Sequence, residues 1–115
     1  MRGEIWLVNL DPVVGSEAFK TRPAVIVGRA PLAHRAMANG RGVVPVVPVT
    51  SNTERVLSFQ ALLPAARTGL DGDSKAQCEQ LRAVDVACLV EHVGTVPDDV
   101  MVTVDAGIRV WLDLP

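Results

Sequence analysis

The sequence predicts a mostly β (α+β) fold: a set of short strands followed by one C-terminal α-helix. Three observations predict it. Of 115 residues, 49% are apolar and 20 are valine, a β-branched type suited to a pleated, half-buried surface. Nine glycines and eight prolines interrupt the chain at short intervals. Only the last stretch, from about Pro97, carries the apolar spacing of a helix.

The elements follow in order. Glu4 to Leu10 reads as a first strand, ended by Asp11-Pro12. The polar connection Gly15 to Arg22 is too long for a tight hairpin, and connections of that kind often carry function. Pro23 opens a second strand, Ala24 to Val27, at the position where a missing N–H costs least. Ala30 to Gly42 mixes Ala, His, Arg, Asn and Gly and is expected to be a mobile loop with at most one helical turn. Val43 to Val49 is a near-continuous β-branched run, expected to be buried on both faces. Its two prolines, Pro45 and Pro48, argue for an edge strand or bulges. Thr50-Ser51-Asn52 is turn chemistry. Phe59 to Leu63 and Ser74 to Leu81 are further strands, with a turn at Thr68 to Gly72 between them. Val100, Val104, Ile108 and Leu112 then mark the apolar face of a helix from about Pro97 to Leu112, with Asp98 and Asp99 at its positive end.

Length and composition exclude several classes. One domain spanning 1–115 is expected, because a chain of this size holds one core. The longest uncharged stretch, Gly42 to Thr53, is twelve residues with two prolines, so no membrane-spanning helix is predicted. No basic segment leads into an apolar run with a small-residue cleavage site, and a cytoplasmic location is expected. Cys78 and Cys88 form no CxxC pair and read as reduced, small apolar residues rather than nucleophiles or zinc ligands. The net charge of −2 argues against a nucleic-acid partner, but its distribution does not. Residues 1–60 carry +3 and residues 61–115 carry −5, which leaves room for a local basic site.

Ordinary enzyme motifs are absent. His34 and His92 show no spacing that supports an acid/base pair and read as surface or structural histidines. What remains is a set of loop residues: Gly15-Ser16-Glu17, Lys20, Arg22 and Thr50-Ser51-Asn52. They combine fixed cations, hydroxyls and a carboxylate, the chemistry that holds a phosphate. The two segments meet if the second and third strands carry both ends to one edge of a small barrel.

Arg2-Gly3-Glu4-Ile5-Trp6, then Gly15-Ser16-Glu17, then Arg22-Pro23-Ala24-Val25-Ile26-Val27, resembles the opening signature of the MazF/PemK family of toxin endoribonucleases. Val47 to Asn52 resembles that family's second motif, and Gly69-Leu70 with Asp73-Ser74 and Glu79 to Asp85 its third. The resemblance implies a small SH3-like β-barrel of the CcdB/MazF type and a homodimer. It also implies cleavage of single-stranded RNA without metal or cofactor, and a MazE-like antitoxin that blocks the site. Residue by residue it assigns Arg22 and Thr50 as catalytic, Glu17 as the loop carboxylate and Gln80 as an RNA contact. Ser16, Ser51 and Asn52 lie in the same motifs and Phe19 and Lys20 in the connection between them, and these five are the further candidates for holding RNA. Glu17 is the one nearby carboxylate expected to take the 2′-OH proton. Ala18 and Phe19 depart from the family's pattern, which often has a polar residue after that carboxylate. The alternative is a CcdB-like toxin, which shares the barrel but poisons gyrase by binding and has no use for an arginine–threonine pair.

Overall fold

The computed structural model of the protein describes residues 1–10 and 21–115. The connection carrying Ser16, Glu17, Phe19 and Lys20 therefore lies outside the described residues.

The valine runs become the middle of one antiparallel sheet. Among the described residues it has seven strands: β1 (Glu4–Asn9), β2 (Thr21–Ile26), β3 (Val43–Thr50), β4 (Gln60–Leu63), β5 (Ser74–Gln77), β6 (Arg82–Asp85) and β7 (Leu89–Thr95). The order is β4-β5-β3-β2-β1-β7, with β6 also paired to β3. No ladder joins β4 to β7 among the described residues, so the expected barrel is an unclosed sheet.

Strand alternation gives each face its own core. Val25, Val47, Val49 and Ala76 face one cluster, covered by α3 (Asp98–Leu112) through Val100, Met101 and Val104. Ala24, Ile26, Val44, Val46 and Val84 face the other, covered by α1 (Ala30–Asn39) through Ala33. Val46–Val49 is buried at every position and so is apolar throughout, while at the start of the strand Val43 and Pro45 are exposed, so burial on both faces holds for its second half only.

Three expectations are corrected. Ala30–Asn39 is a helix of ten residues, not a loop; Pro31 sits in its first turn and Gly40 closes it at φ 67°. Its sole buried residue is Ala33, so no apolar stripe announced it. The third strand is central, not an edge. Its outer flank changes partner, from β6 at Val43–Val46 to β5 at Val49–Thr50, and Pro48 falls in the gap between those ladders. Pro45 ends the β2 ladder, where its carbonyl still accepts the Val27 N–H at 3.1 Å. The predicted strand Ser74 to Leu81 stops at Gln77, and Cys78–Gln80 forms a 3₁₀ turn.

The C-terminal helix runs as predicted but buries a shorter stripe. Steps of four residues advance about 400°, so each drifts by about 40° around the axis. Val104 is fully buried, Ile108 partly so, and Leu112 is exposed. Gly107 instead joins the seam: a Cβ there would stand 2.8 Å from the Phe59 carbonyl and 2.9 Å from Cys78 Sγ.

Candidate functional site

Two adjacent strand ends build the site. Ala24 stands opposite Pro48 as the last pair of the β2–β3 ladder, and both strands run two residues further, to Arg22 and to Thr50. Arg22, Pro23, Val49, Thr50 and Ser51 line a cleft of about 680 Å³. This is the juxtaposition expected of the two segments.

The turn after β3 fixes the threonine. Its Oγ1 accepts the Asn52 N–H at 3.3 Å, and Asn52 Oδ1 accepts the Glu54 N–H at 3.2 Å. Thr50 therefore keeps its O–H proton to donate elsewhere. Asn52 serves the turn and does not line the cleft. The rest of this loop is tied down by Lys75, a buried lysine whose Nζ donates to the Arg55 carbonyl.

Walls come from segments distant in sequence. Helix α2 (Ala65–Thr68) ends in Gly69 at φ 84°, and the following turn brings Leu70, Asp71 and Gly72 to the cleft. Strand β7 adds Glu91, His92 and Val93. The two walls are held together where Gly94 of β7 abuts the Thr68 carbonyl so closely that no side chain fits between them.

His92 is anchored on one side. Its ring stacks on Trp6 with centroids 5.4 Å apart and planes 12° from parallel, and Nε2 donates to the Gly94 carbonyl at 2.8 Å. Nδ1 lies 3.9 Å from Glu4 Oε1. Glu4 also accepts the Trp6 indole N–H at 3.0 Å and the Met1 ammonium at 2.8 Å. Burial acts to raise the Glu4 carboxyl, but these donors outweigh it and hold it below the ordinary carboxylate range.

Measured against the sequence reading, Arg22, Thr50 and Ser51 come together. Gln80 sits exposed in the 3₁₀ turn beside α3, outside the cleft lining. The reading of Glu17 as the one nearby carboxylate does not hold, because Asp71 and Glu91 also line the cleft. Those two and His92 were missed. Pairing of β1 with β7 brings in Glu91 and His92, and no spacing along the chain announces that pairing. The histidines do not form a pair: His34 is on α1 and His92 on β7. Cys78 is buried, and burial pushes its thiol up to about 11, which disqualifies it as a nucleophile; Cys88 is half-buried and free. Among the described residues no cluster of His, Cys, Asp or Glu is placed to hold a metal, and no helix is long and apolar enough to cross a membrane.

The fold and sequence match known proteins along nearly their whole length. The chain is 47% identical over 113 residues to the endoribonuclease MazF9 of Mycobacterium tuberculosis, covering 98% of this chain and 96% of that protein. The solved structure of Mycobacterium tuberculosis toxin MazF-mt6 superposes with a TM-score of 0.78 at 22% identity, covering 97% of this chain and 98% of the other. A MazE–MazF crystal structure from Deinococcus radiodurans superposes with a TM-score of 0.78 at 24% identity, covering 98% and 95%. The family model for the PemK-like, MazF-like toxin of type II toxin-antitoxin systems matches residues 1–112. This chain, with its arginine and threonine lining one cleft at two strand ends, belongs to that toxin family.

Proposed function

We propose that this toxin is a metal-independent endoribonuclease that cuts single-stranded RNA at short sequences in the Arg22–Thr50 cleft. The meeting of Arg22 and Thr50 in the lining of one cleft, at the ends of adjacent strands, carries the reading. The RNA 2′-OH attacks the adjacent phosphorus, the O2′–P bond forms and the P–O5′ bond breaks. The products are a 2′,3′-cyclic phosphate and a 5′-hydroxyl, the leaving O5′ taking its proton from water. A guanidinium stays protonated, so Arg22 acts on the charge of the five-coordinate phosphorus rather than as a base. The Thr50 hydroxyl donates to a phosphate oxygen and fixes its position. Glu17 takes the 2′-OH proton. Ser16, Phe19, Lys20, Ser51, Asn52 and Gln80 hold flanking nucleotides. A strict need for the 2′-OH makes DNA inert.

The partner reading has two parts. An antitoxin covers the cleft, supported by a structural neighbour described as a MazE–MazF complex. A second copy of the chain covers the apolar end of α3, where Val110, Trp111, Leu112 and Leu114 remain exposed. No observation favours gyrase binding. The test is incubation of purified protein with a long RNA in EDTA. Discrete fragments ending in cyclic phosphate are expected, and intact RNA would overturn the reading.

A further inference from the structure

Residues 18–53 contain Lys20, Arg22, Arg29, Arg35 and Arg41 and no Asp or Glu. The fold sends these cations to different places. Arg22 lines the cleft, while Arg29 and Arg41 flank the two ends of α1 and Arg35 lies on it, beyond the other end of β2 and β3. From Arg22 to Ile26 the strand rises about 13 Å, and three further residues, bending at Gly28, lead on to Arg29. The molecule therefore carries a second cationic surface well outside the cleft.

The local geometry presents it outward. Ala33 is the buried residue of α1, and at about 100° per residue Arg35 projects on roughly the opposite side. Arg29 immediately precedes the helix and Arg41 follows Gly40. All three arginines and His34 are exposed. None of the three makes an ion pair with a described residue, whereas Arg2 and Arg67 elsewhere are paired with Asp105 and Asp99. The β3–β6 ladder brings one carboxylate to this end, Asp85 opposite Val43, and its Oδ1 is engaged by the Ala87 N–H. Helix formation does not require the charge: the Arg29 carbonyl, not its side chain, accepts the Leu32 and Ala33 N–H groups.

The geometry points to a second RNA-contact surface, at which Arg29, Arg35 and Arg41 grip backbone phosphates of the strand flanking the cut site. The inference rests on the endoribonuclease reading and narrows its substrate to RNA that reaches beyond the cleft by more than the length of β2 from Arg22 to Ile26, about 13 Å. Guanidinium forks suit this, since each can hold two phosphate oxygens without reading a base.

The test compares two substrates: the shortest oligoribonucleotide that is cut, and a long RNA carrying the same cut site. The variant Arg29→Gln/Arg35→Gln/Arg41→Gln is expected to keep the parent kcat and KM on the short RNA. On the long RNA its KM should rise about tenfold. The slope of log binding constant against log salt should flatten by about 2, at about 0.7 for each phosphate released. Arg35→Gln alone should move both in the same direction by about a third as much, which guards against a folding defect in the triple variant. Unchanged KM and salt slope on the long RNA would overturn the inference. An equal loss on both substrates would also overturn it, by placing these arginines with the cleft. A normal long-RNA KM with weakened binding of the cognate antitoxin would overturn it too, in favour of an acidic protein partner. If the parent cuts neither RNA, the failure lies in the endoribonuclease reading instead.

Discussion

Arg22 and Thr50 sit at strand ends, outside both cores, so each can be removed without leaving a cavity. Arg22→Ala and Thr50→Ala should each lower kcat by about 10²–10³, the usual cost of one transition-state donor, with an unchanged thermal midpoint. Wild-type cleavage by folded Arg22→Ala would overturn its assignment. Cysteine labelling offers an independent check on the core. With its thiol raised to about 11, Cys78 is almost wholly protonated at pH 8, and the thiolate is the species that alkylates. Iodoacetamide at pH 8 should label Cys88 first and Cys78 only after unfolding, as read by peptide mass spectrometry. Equal rates in the native protein would contradict the buried placement. At this scale much of the site was legible, because Arg22 and Thr50 lie in motifs that are continuous in sequence. His92, Glu91 and Asp71 were not, because separate strands and turns deliver them.

Elements were legible where periodicity is a consequence of burial. Strand β3 buries an unbroken apolar run and α3 an apolar stripe at helical spacing, and their patterns show it. Helix α1 buries one alanine, and most of β7 is exposed, so neither leaves a pattern to find. Gly107 is the instructive case. Intrinsic propensity treats a glycine inside a helix as a defect costing about 1 kcal/mol relative to alanine. Here its missing Cβ is what lets α3 approach the Phe59 carbonyl and Cys78. Gly107→Ala should therefore destabilise the protein by about 1–2 kcal/mol, overpacking exceeding the propensity gain. That is a fall of about 5 °C or more in Tm by calorimetry. A rise in Tm would show that α3 can lift away at no cost.

At the level of the whole molecule, four large apolar side chains are left uncovered at the end of α3, Trp111 resting on Phe59 with ring centroids 5.1 Å apart. A homodimer joined there is expected to scatter light as twice the chain mass at micromolar concentration. Leu112→Asp with Leu114→Asp should return it to a monomer that keeps its fold. A monomeric parent would remove the dimer proposal. An antitoxin segment is expected to place carboxylates against Lys20 or Arg22 as stand-ins for phosphate, so uncleavable RNA and antitoxin should displace one another in a competition titration. Simultaneous binding would exclude that mimicry. The central position of β3, paired to β2 on one flank and to β6 and β5 on the other, also sets the order in which the molecule opens. Its amides can exchange with deuterium only when the sheet itself comes apart, whereas α1 can fray by releasing Ala33. The arginine and threonine of the cleft are mounted on β2 and β3 and not on α1. A molecule with a melted α1 therefore keeps the strands that carry its reactive pair.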